Sequence, residues 1–339
     1  MAAAVDSIRE SNRMGSSIMN RRKVLAAALA MVAAGSFSSV AALAAYPEQP
    51  VRIVVPFPAG GANDIVARLI GPPLSHALGQ PVVIENRAGA SGTIGTAAVS
   101  RATPDGYTLV MAAVPLVITP SLMPDLAYQV PQDFQPISLL SKTPFLLAVN
   151  PGLPVHNVQE LIDLARKNPE SITYSSPGNG SPAHLAASLI AEQGRVQMTH
   201  VPYKGGAPAI VDVIAGHVSF TLATPAELLS FAKQGQLRII GASTASRISF
   251  LPDIPTLREQ GLKDYDISVW YGLLGPAGMP ADVVERLDRE IRNLLASGQV
   301  ADQLRAQGME PAAEGSDAFG TFLRSERQKW HALAKQAAS

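Results

Sequence analysis

From Val51 onward, short β-branched runs alternate with stretches that carry apolar residues at helical spacing. This alternation restricts the chain to an α/β architecture with mainly parallel sheets. Its first repeat says most. Val51, Ile53, Val54 and Val55 form a strand that enters Pro56-Phe57-Pro58, turns through Gly60-Gly61 and opens a helix at Asn63 or Asp64. Glycine lets backbone come close to a ligand because no Cβ intervenes. The first amides of a new helix lack intrahelical acceptors and carry the positive end of its dipole. Strand, glycine pair and helix start together suit a carboxylate or a phosphate. The loop equally fits a plain βα connection in which Asn63 or Asp64 caps its own helix.

The pattern continues along the chain. A strand at 81–85 leads into a second glycine-rich connection at 86–92 and a helix at 94–100, and a further strand spans 107–114. Residues 115–136 are rich in proline and are expected to be irregular. Strands at 137–140 and 145–149 reach Asn150-Pro151, a crossing into a second lobe. There Asn157 caps a helix, with Glu160 as its capping-box partner. A strand at 171–176 precedes Pro177-Gly178-Asn179-Gly180-Ser181, and Pro182 suits the first helical position. Lys204-Gly205-Gly206 opens the next helix, at 207–215. Strands at 218–222 and 237–242 flank a helix at 225–234, and a short helix should end at Gly261. Residues 267–275 read as the return crossing.

The C-terminal part is helical, with core stripes at Val284, Leu287, Ile291 and Leu294 and at Phe319, Phe322, Leu323 and Trp330. Two α/β lobes follow, one from 45–148 and 268–339, the other from 149–267, joined by two crossing strands with a ligand cleft between them.

Residues 1–44 stand apart from that fold. Arg21-Arg22-Lys23, an apolar run from Val24 and Ala42-Leu43-Ala44 make a secretory signal with an A-x-A cleavage pattern. Met14 or Met19 would give a more usual signal length, and Asn20-Arg21-Arg22-Lys23-Val24-Leu25 also resembles a twin-arginine signal. Cleavage after Ala44 would leave 295 of the 339 residues, with 22 basic and 25 acidic side chains and a net charge of −3. That balance argues against a nucleic-acid partner. The chain has no cysteine, so thiol nucleophiles and cysteine-ligated metals are excluded.

Other chemistries find no support. Gly178-x-Gly180-x-x-Ala183 has the spacing of a dinucleotide fingerprint, but the required acidic residue is missing from His200-Val201-Pro202-Tyr203-Lys204. Gly89-Ala90-Ser91-Gly92 is not a nucleophile elbow, and no zincin motif occurs. His184 lies one turn inside a helix start and reads first as a satisfied structural histidine. Lys204 is a cation within a glycine turn, able to attract an anion or simply to be solvated. Arg68 should pair with a nearby carboxylate, Arg87 could do either, and Trp270 and Tyr271 should pack within the crossing.

Longer motifs in fixed order then narrow the reading: YPEQPVRIVVPFPAGGANDIVAR at 46–68, GQPVVIENRAGASGTIG at 79–95, PDGYTLV at 104–110, YSSPGNGSPAHLA at 174–186, HVPYKGGAPAIVDVIAGHV at 200–218, LPDIPTLREQG at 251–261 and VWYGLLGPAGMP at 269–280. From Tyr46 onward the chain resembles the substrate-binding receptors of tripartite tricarboxylate transporters, the Bug-type receptors. The resemblance implies a type II periplasmic binding-protein fold. It also implies that main-chain amides of the 57–64 and 176–181 loops hold a ligand carboxylate, often with bridging water, helped by the 203–205 turn. Asn63 stands where that family often has Thr or Ser, and Gly71-Pro72-Pro73 should interrupt and kink the first helix.

The expectation is therefore a periplasmic, monomeric receptor for a small organic acid, neither an enzyme nor dependent on a cofactor or metal. Its partner would be the membrane subunits of a transporter or, alternatively, a membrane sensor kinase to which it presents ligand. The expected ligand contacts are Phe57, Ala59, Gly60, Gly61, Asn63 and Asp64 in one lobe. In the other they are Ser176, Gly178, Gly180, Ser181, His184, Tyr203, Lys204 and Gly205.

Overall fold

The computed structural model describes residues 46–336 apart from Pro124 and Glu170, so the export segment expected before residue 45 lies outside the described residues. Residues 1–48 form one unit and residues 49–339 a second, and the account that follows concerns the second. Among the described residues no helix is long and apolar enough to cross a membrane.

Eleven strands among the described residues, β1 to β11, build two mixed sheets. The first sheet contains β1 (Val51–Val55), β2 (Val82–Asn86), β3 (Thr108–Ala113), β4 (Phe134–Pro144), β10 (Ser268–Pro276) and β11 (Glu310–Glu314), in the order β11-β4-β10-β3-β1-β2. The second contains β5 (Leu146–Val149), β6 (Thr173–Ser176), β7 (Thr199–Pro202), β8 (Phe220–Ala223) and β9 (Arg238–Ala242), in the order β7-β6-β8-β5-β9. In each sheet the first strand of a βαβ unit pairs in parallel with the next two, β1 with β2 and β3, and β6 with β7 and β8. Four of the five residues of β1 are buried, as an interior parallel strand covered on both faces requires.

Helices cover the sheets: α1 (Ala62–Leu78), α2 (Thr93–Ser100), α3 (Pro115–Leu122), α4 (Val158–Lys167), α5 (Pro182–Gly194), α6 (Gly206–Ile214), α7 (Pro225–Lys233), α8 (Ala281–Ala296), α9 (Gly298–Ala306) and α10 (Ser316–Gln336). The stripes read in α8 and α10 do face the core: Val284, Leu287 and Ile291 are buried, as are Phe319, Leu323 and Trp330.

The lobes meet at two crossings. β4 of one sheet continues into β5 of the other through the single residue Phe145, so the change of sheet falls four residues ahead of Val149. The chain comes back through 243–267 into β10. Ser243, fully buried, ties the crossings together. Its Oγ accepts from Phe145 N–H at 2.8 Å and donates to the Ile267 carbonyl, while its own carbonyl accepts from Ile267 N–H at 2.9 Å. One apolar cluster runs unbroken from Val54 and Leu274 to Leu161 and Phe220, so the lobes share a core at the hinge.

Three local expectations need correction. Pro72 and Pro73 do not interrupt α1, which stays helical to Leu78 and ends on left-handed Gly79. Pro72 and Pro73 remove the N–H donors that would meet the carbonyls of Arg68, which is exposed, and Leu69, which is half-buried. Residues 115–122, expected to be irregular, are α3, because Pro115 occupies the first turn, where its missing N–H costs nothing. The short helix before Gly261 is a single turn, closed when Thr256 N–H donates to Glu259 and Glu259 N–H donates back to Thr256 Oγ1. β11 was not anticipated at all. Its Glu-Pro-Ala-Ala-Glu sequence has little strand propensity, and pairing along β4 holds it.

Candidate functional site

Successive parallel connections reverse direction beside β1 in the order β2-β1-β3, and beside β6 in the order β7-β6-β8. Open α/β sheets bind ligands outside the carboxyl ends of their strands at such switch points. The loops that leave β1 and β6 there are the two glycine-rich connections singled out in the sequence.

In the first lobe Ala59, Gly60 and Gly61 are exposed, while Asn63 and Asp64 are buried. Helix α1 starts at Ala62, with Gly61 as an N-cap that supplies no side-chain acceptor. The first intrahelical bond recorded there is Ile65 N–H to the Gly61 carbonyl, at 2.9 Å. The amides of Ala62, Asn63 and Asp64 therefore precede the helical ladder without a side-chain cap.

The side chains of Asn63 and Asp64 face inward. Asp64 accepts from Gly60 N–H at 2.9 Å, from Arg68 Nε at 2.8 Å and from Asn86 Nδ2 at 2.9 Å. The Arg68 guanidinium, more than any other neighbour, holds the Asp64 carboxyl down at about 2. Asn86 also reaches the Phe57 carbonyl at 3.2 Å, and Asn63 Nδ2 reaches the Met111 carbonyl at 3.3 Å. These two expected contacts thus brace the loop from behind, and Gly60 gives its amide to Asp64. Phe57 is half-buried, its ring against Gly92, where a Cβ would stand 3.0 Å from the ring.

Replacing Asp64 with Asn should destabilise the protein by about 1–2 kcal/mol at pH 7, because a buried acceptor of three bonds loses its charge. A carboxylate whose folded pKa is depressed stabilises above its unfolded value and loses that contribution as pH falls through the folded one. The wild-type advantage should therefore persist at pH 7 and shrink between pH 4 and 2, as urea unfolding at several pH values will report.

In the second lobe the 176–181 loop largely satisfies itself. Gly178 N–H donates to Ser176 Oγ at 3.1 Å, Gly180 N–H to His184 Nδ1 at 3.1 Å, and Ser181 N–H to the Gly178 carbonyl at 3.2 Å. Ser181 Oγ caps α5 by accepting from His184 N–H at 3.3 Å, and Pro182 has no N–H to offer. Asn179 keeps an amide without a partner among the described residues. Gly178 and Gly180, at φ of 144° and 71°, take conformations that favour glycine.

The neighbouring turn is more open. Tyr203 N–H bonds the Ser176 carbonyl at 3.0 Å, and a Cβ on Gly178 would touch the Tyr203 carbonyl at 3.5 Å, so the turn lies against the loop. The Tyr203 hydroxyl donates to Asp212 on α6, and burial together with that carboxylate pushes it up to about 12. Its side chain is therefore occupied along α6. Gly205 is an N-cap without a side-chain acceptor, which leaves the amides of Gly206 and Ala207 at the start of α6 uncapped. Lys204 is exposed and has no ion-pair partner among the described residues. Arg68 and Arg87, by contrast, are paired with Asp64 and Glu85.

Sequence reasoning missed three parts of this region. Leu122, at the end of α3, lies across from the second lobe, where a Cβ on Gly180 would stand 3.0 Å from its Cδ1. Proline density hid that helix. Ala90 and Ser91 hold left-handed backbone beside Phe57, a conformation retained only where surroundings enforce it. Glu227 accepts from Thr224 N–H and hydroxyl and faces Gly206, and the Thr-Pro-Ala-Glu spacing could have announced this cap. A separate cavity of about 380 Å³ at the hinge is lined by Lys142, Arg247 and Lys329, each of them ion-paired. It lacks the free cation found at Lys204.

Residues 66–338 match the family model described as tripartite tricarboxylate transporter family receptor. Protein BugT of Bordetella pertussis is 32% identical over 320 residues, which cover 94% of this chain and 98% of BugT. The solved structure of R. palustris Rpa4515 with adipate is similar at a TM-score of 0.74 and 32% identity, over 86% of this chain and 98% of that one. MatC from Rhodopseudomonas palustris with bound malate is similar at a TM-score of 0.70 and 29% identity, over 85% of this chain and all of that one (100%). The two lobes on two mixed sheets are those of type II periplasmic binding proteins.

Proposed function

We propose that this chain, which belongs to the tripartite tricarboxylate transporter receptor family, captures a small dicarboxylate in the periplasm and presents it to the membrane subunits of such a transporter. The family is one of binding proteins rather than enzymes, and two of its structural relatives were solved with adipate and with malate. The observation that carries the reading is a pair of helix starts without side-chain caps, α1 at Gly61 and α6 at Gly205, one from each lobe. Each can hold one carboxylate with main-chain amides and the helix dipole. Lys204 adds a cation on the second side.

A molecule with two carboxylates satisfies both ends at once and rewards closure of the lobes about the crossings at Phe145 and 243–267. Phe57, which follows β1 in the first glycine-rich connection, and the half-exposed Leu122, near Gly180 of the second, offer apolar surface suited to a methylene chain, which favours adipate over malate.

A thermal-shift series with malate, succinate, glutarate, adipate and hexanoate tests this. A ligand at a hundredfold excess over its Kd stabilises by about 2.7 kcal/mol, which moves Tm by several degrees in a protein of this size. Adipate should give the largest shift and hexanoate almost none. A flat response to every dicarboxylate overturns the reading.

A further inference from the structure

We propose that His184 and His200, stacked ring on ring beside the 176–181 loop, act as one positioning element in which His184 must be uncharged for that loop to keep its ligand-ready shape. The inference rests on the reading of this loop as part of the ligand site. The rings lie 3.9 Å apart between centroids and 19° from parallel. Each holds a different part of the loop. His184 Nδ1 accepts the Gly180 N–H at 3.1 Å. Ser176 Oγ donates to the Gly178 carbonyl at 3.0 Å and accepts Gly178 N–H at 3.1 Å, so His200 Nε2, 2.7 Å from the same oxygen, is its N–H donor. Two glycines in left-handed backbone are thus fixed by a histidine pair that sequence places at the two ends of a helix-turn-strand unit.

The chemistry makes this support conditional on protonation. A nitrogen that accepts an amide N–H has no proton, so charging His184 at Nδ1 removes the acceptor for Gly180. A second charge on the stacked partner would lie under 4 Å away in half-buried surroundings, so at most one proton enters the pair.

The neighbours offer no relief. From β6, Tyr174 stacks on His200 at 5.0 Å, and from β8, Phe220 stacks on Tyr174 at 5.6 Å. Burial raises the Tyr174 hydroxyl, which therefore stays neutral throughout the range in question. On α5 the nearby polar group is Ser188, whose hydroxyl bonds the His184 carbonyl at 2.9 Å. No carboxylate is ion-paired with either ring among the described residues. Burial lowers His184, and burial plus the His184 charge brings His200 down to about 4. The pair is accordingly neutral at pH 7 and takes up a proton only as the medium turns acid. An exported receptor would then loosen its grip as the medium turns acid.

Two measurements test this. In ligand-free wild-type protein, nuclear magnetic resonance of the imidazole rings and of the Gly178 and Gly180 amides is followed from pH 7.5 to 4. The amides should shift in step with the rings. Amides that stay fixed while the rings titrate overturn the proposal, and this readout needs no ligand.

Calorimetry with adipate then compares variants at both ends of the range. His184→Leu should weaken binding about fivefold at pH 7.5, the effect of one lost hydrogen bond. His184→Asn, whose side-chain oxygen can replace Nδ1 as acceptor, should bind like wild type at pH 7.5 and lose less affinity at pH 4. Because adipate itself titrates, the difference between wild type and His184→Asn isolates the protein's share. Equal pH profiles for those two, or an unweakened His184→Leu, overturn the proposal. If adipate fails to bind even wild type at pH 7.5, the dicarboxylate reading fails while the resonance titration still decides this one.

Discussion

Gly61→Asp is expected to lower dicarboxylate affinity at least about a hundredfold while leaving the fold as stable as before, or slightly more so. The reason lies in where Gly61 sits. Its backbone, at φ −76° and ψ 167°, is already in the extended region that N-cap residues of any kind adopt. A Cβ there meets only the Pro58 carbonyl, at an ordinary 3.5 Å. Aspartate therefore fits without strain, and it is among the strongest N-cap residues. Its carboxylate would accept the amides at the second and third helical positions, those of Asn63 and Asp64, and so fill the place proposed for the ligand headgroup. An intramolecular cap contributes a few tenths of a kcal/mol over glycine, and a negative charge at a helix start adds up to about 1 kcal/mol. The same charge repels an incoming dianion. Gly61→Ala supplies the control, since it adds bulk without an acceptor and should bind within a few-fold of wild type. Calorimetry with adipate and urea unfolding of the three proteins decide it. Wild-type affinity in Gly61→Asp removes the α1 start from the site.

That prediction separates what a sequence exposes from what it conceals. The glycine turns at Gly60-Gly61, Gly178 to Gly180 and Gly205-Gly206 were legible because positive φ and a missing Cβ are local properties of residue type. The alternation of strands and helices was legible for the same reason, and with it the two sheets. Which amides remain open for a ligand was not legible. Asp64 takes the Gly60 amide only because Asn86, 22 residues away, and Arg68 hold its carboxylate in place. His200 reaches the loop through Ser176 across 24 residues of chain, a contact created by the parallel pairing of β6 and β7. Local rules also misjudged prolines. Pro72 and Pro73 sit inside α1, where tertiary packing outweighs the lost backbone bonds, and Pro115 opens α3, where no bond is lost. Tyr203 and Asp64 look like ligand groups by position, yet their side chains are occupied by Asp212 and Arg68.

The largest loss of stability should come from Glu326→Ala, on the helix that closes the first lobe. Glu326 is only 2% exposed, on α10. Its Oε2 accepts the indole N–H of Trp270 at 2.9 Å and that of Trp330 at 2.7 Å, and Oε1 is ion-paired with Lys329. Both tryptophans are fully buried, so neither indole N–H can turn to water when the carboxylate goes. Two stranded donors and an unpaired ammonium should cost about 3–5 kcal/mol, a large part of the 5–15 kcal/mol that holds a typical protein together. Glu326→Gln keeps an acceptor for at least one indole and should cost roughly half as much. The ranking matters beyond stability. Trp270 lies two residues past Ser268, where the chain re-enters the first sheet, and Lys329 also bonds the Asp266 carbonyl at 3.0 Å on that returning segment. The carboxylate thus anchors one of the two crossings through residues outside the proposed ligand loops. Urea unfolding should show midpoints in the order wild type, Gln, Ala, with adipate affinity in the folded Ala variant close to wild type, because no group that touches the ligand has changed. Matching midpoints for Ala and wild type would falsify the anchoring role. A Gln variant as unstable as Ala would assign the effect to the charge on Lys329 rather than to the indole bonds.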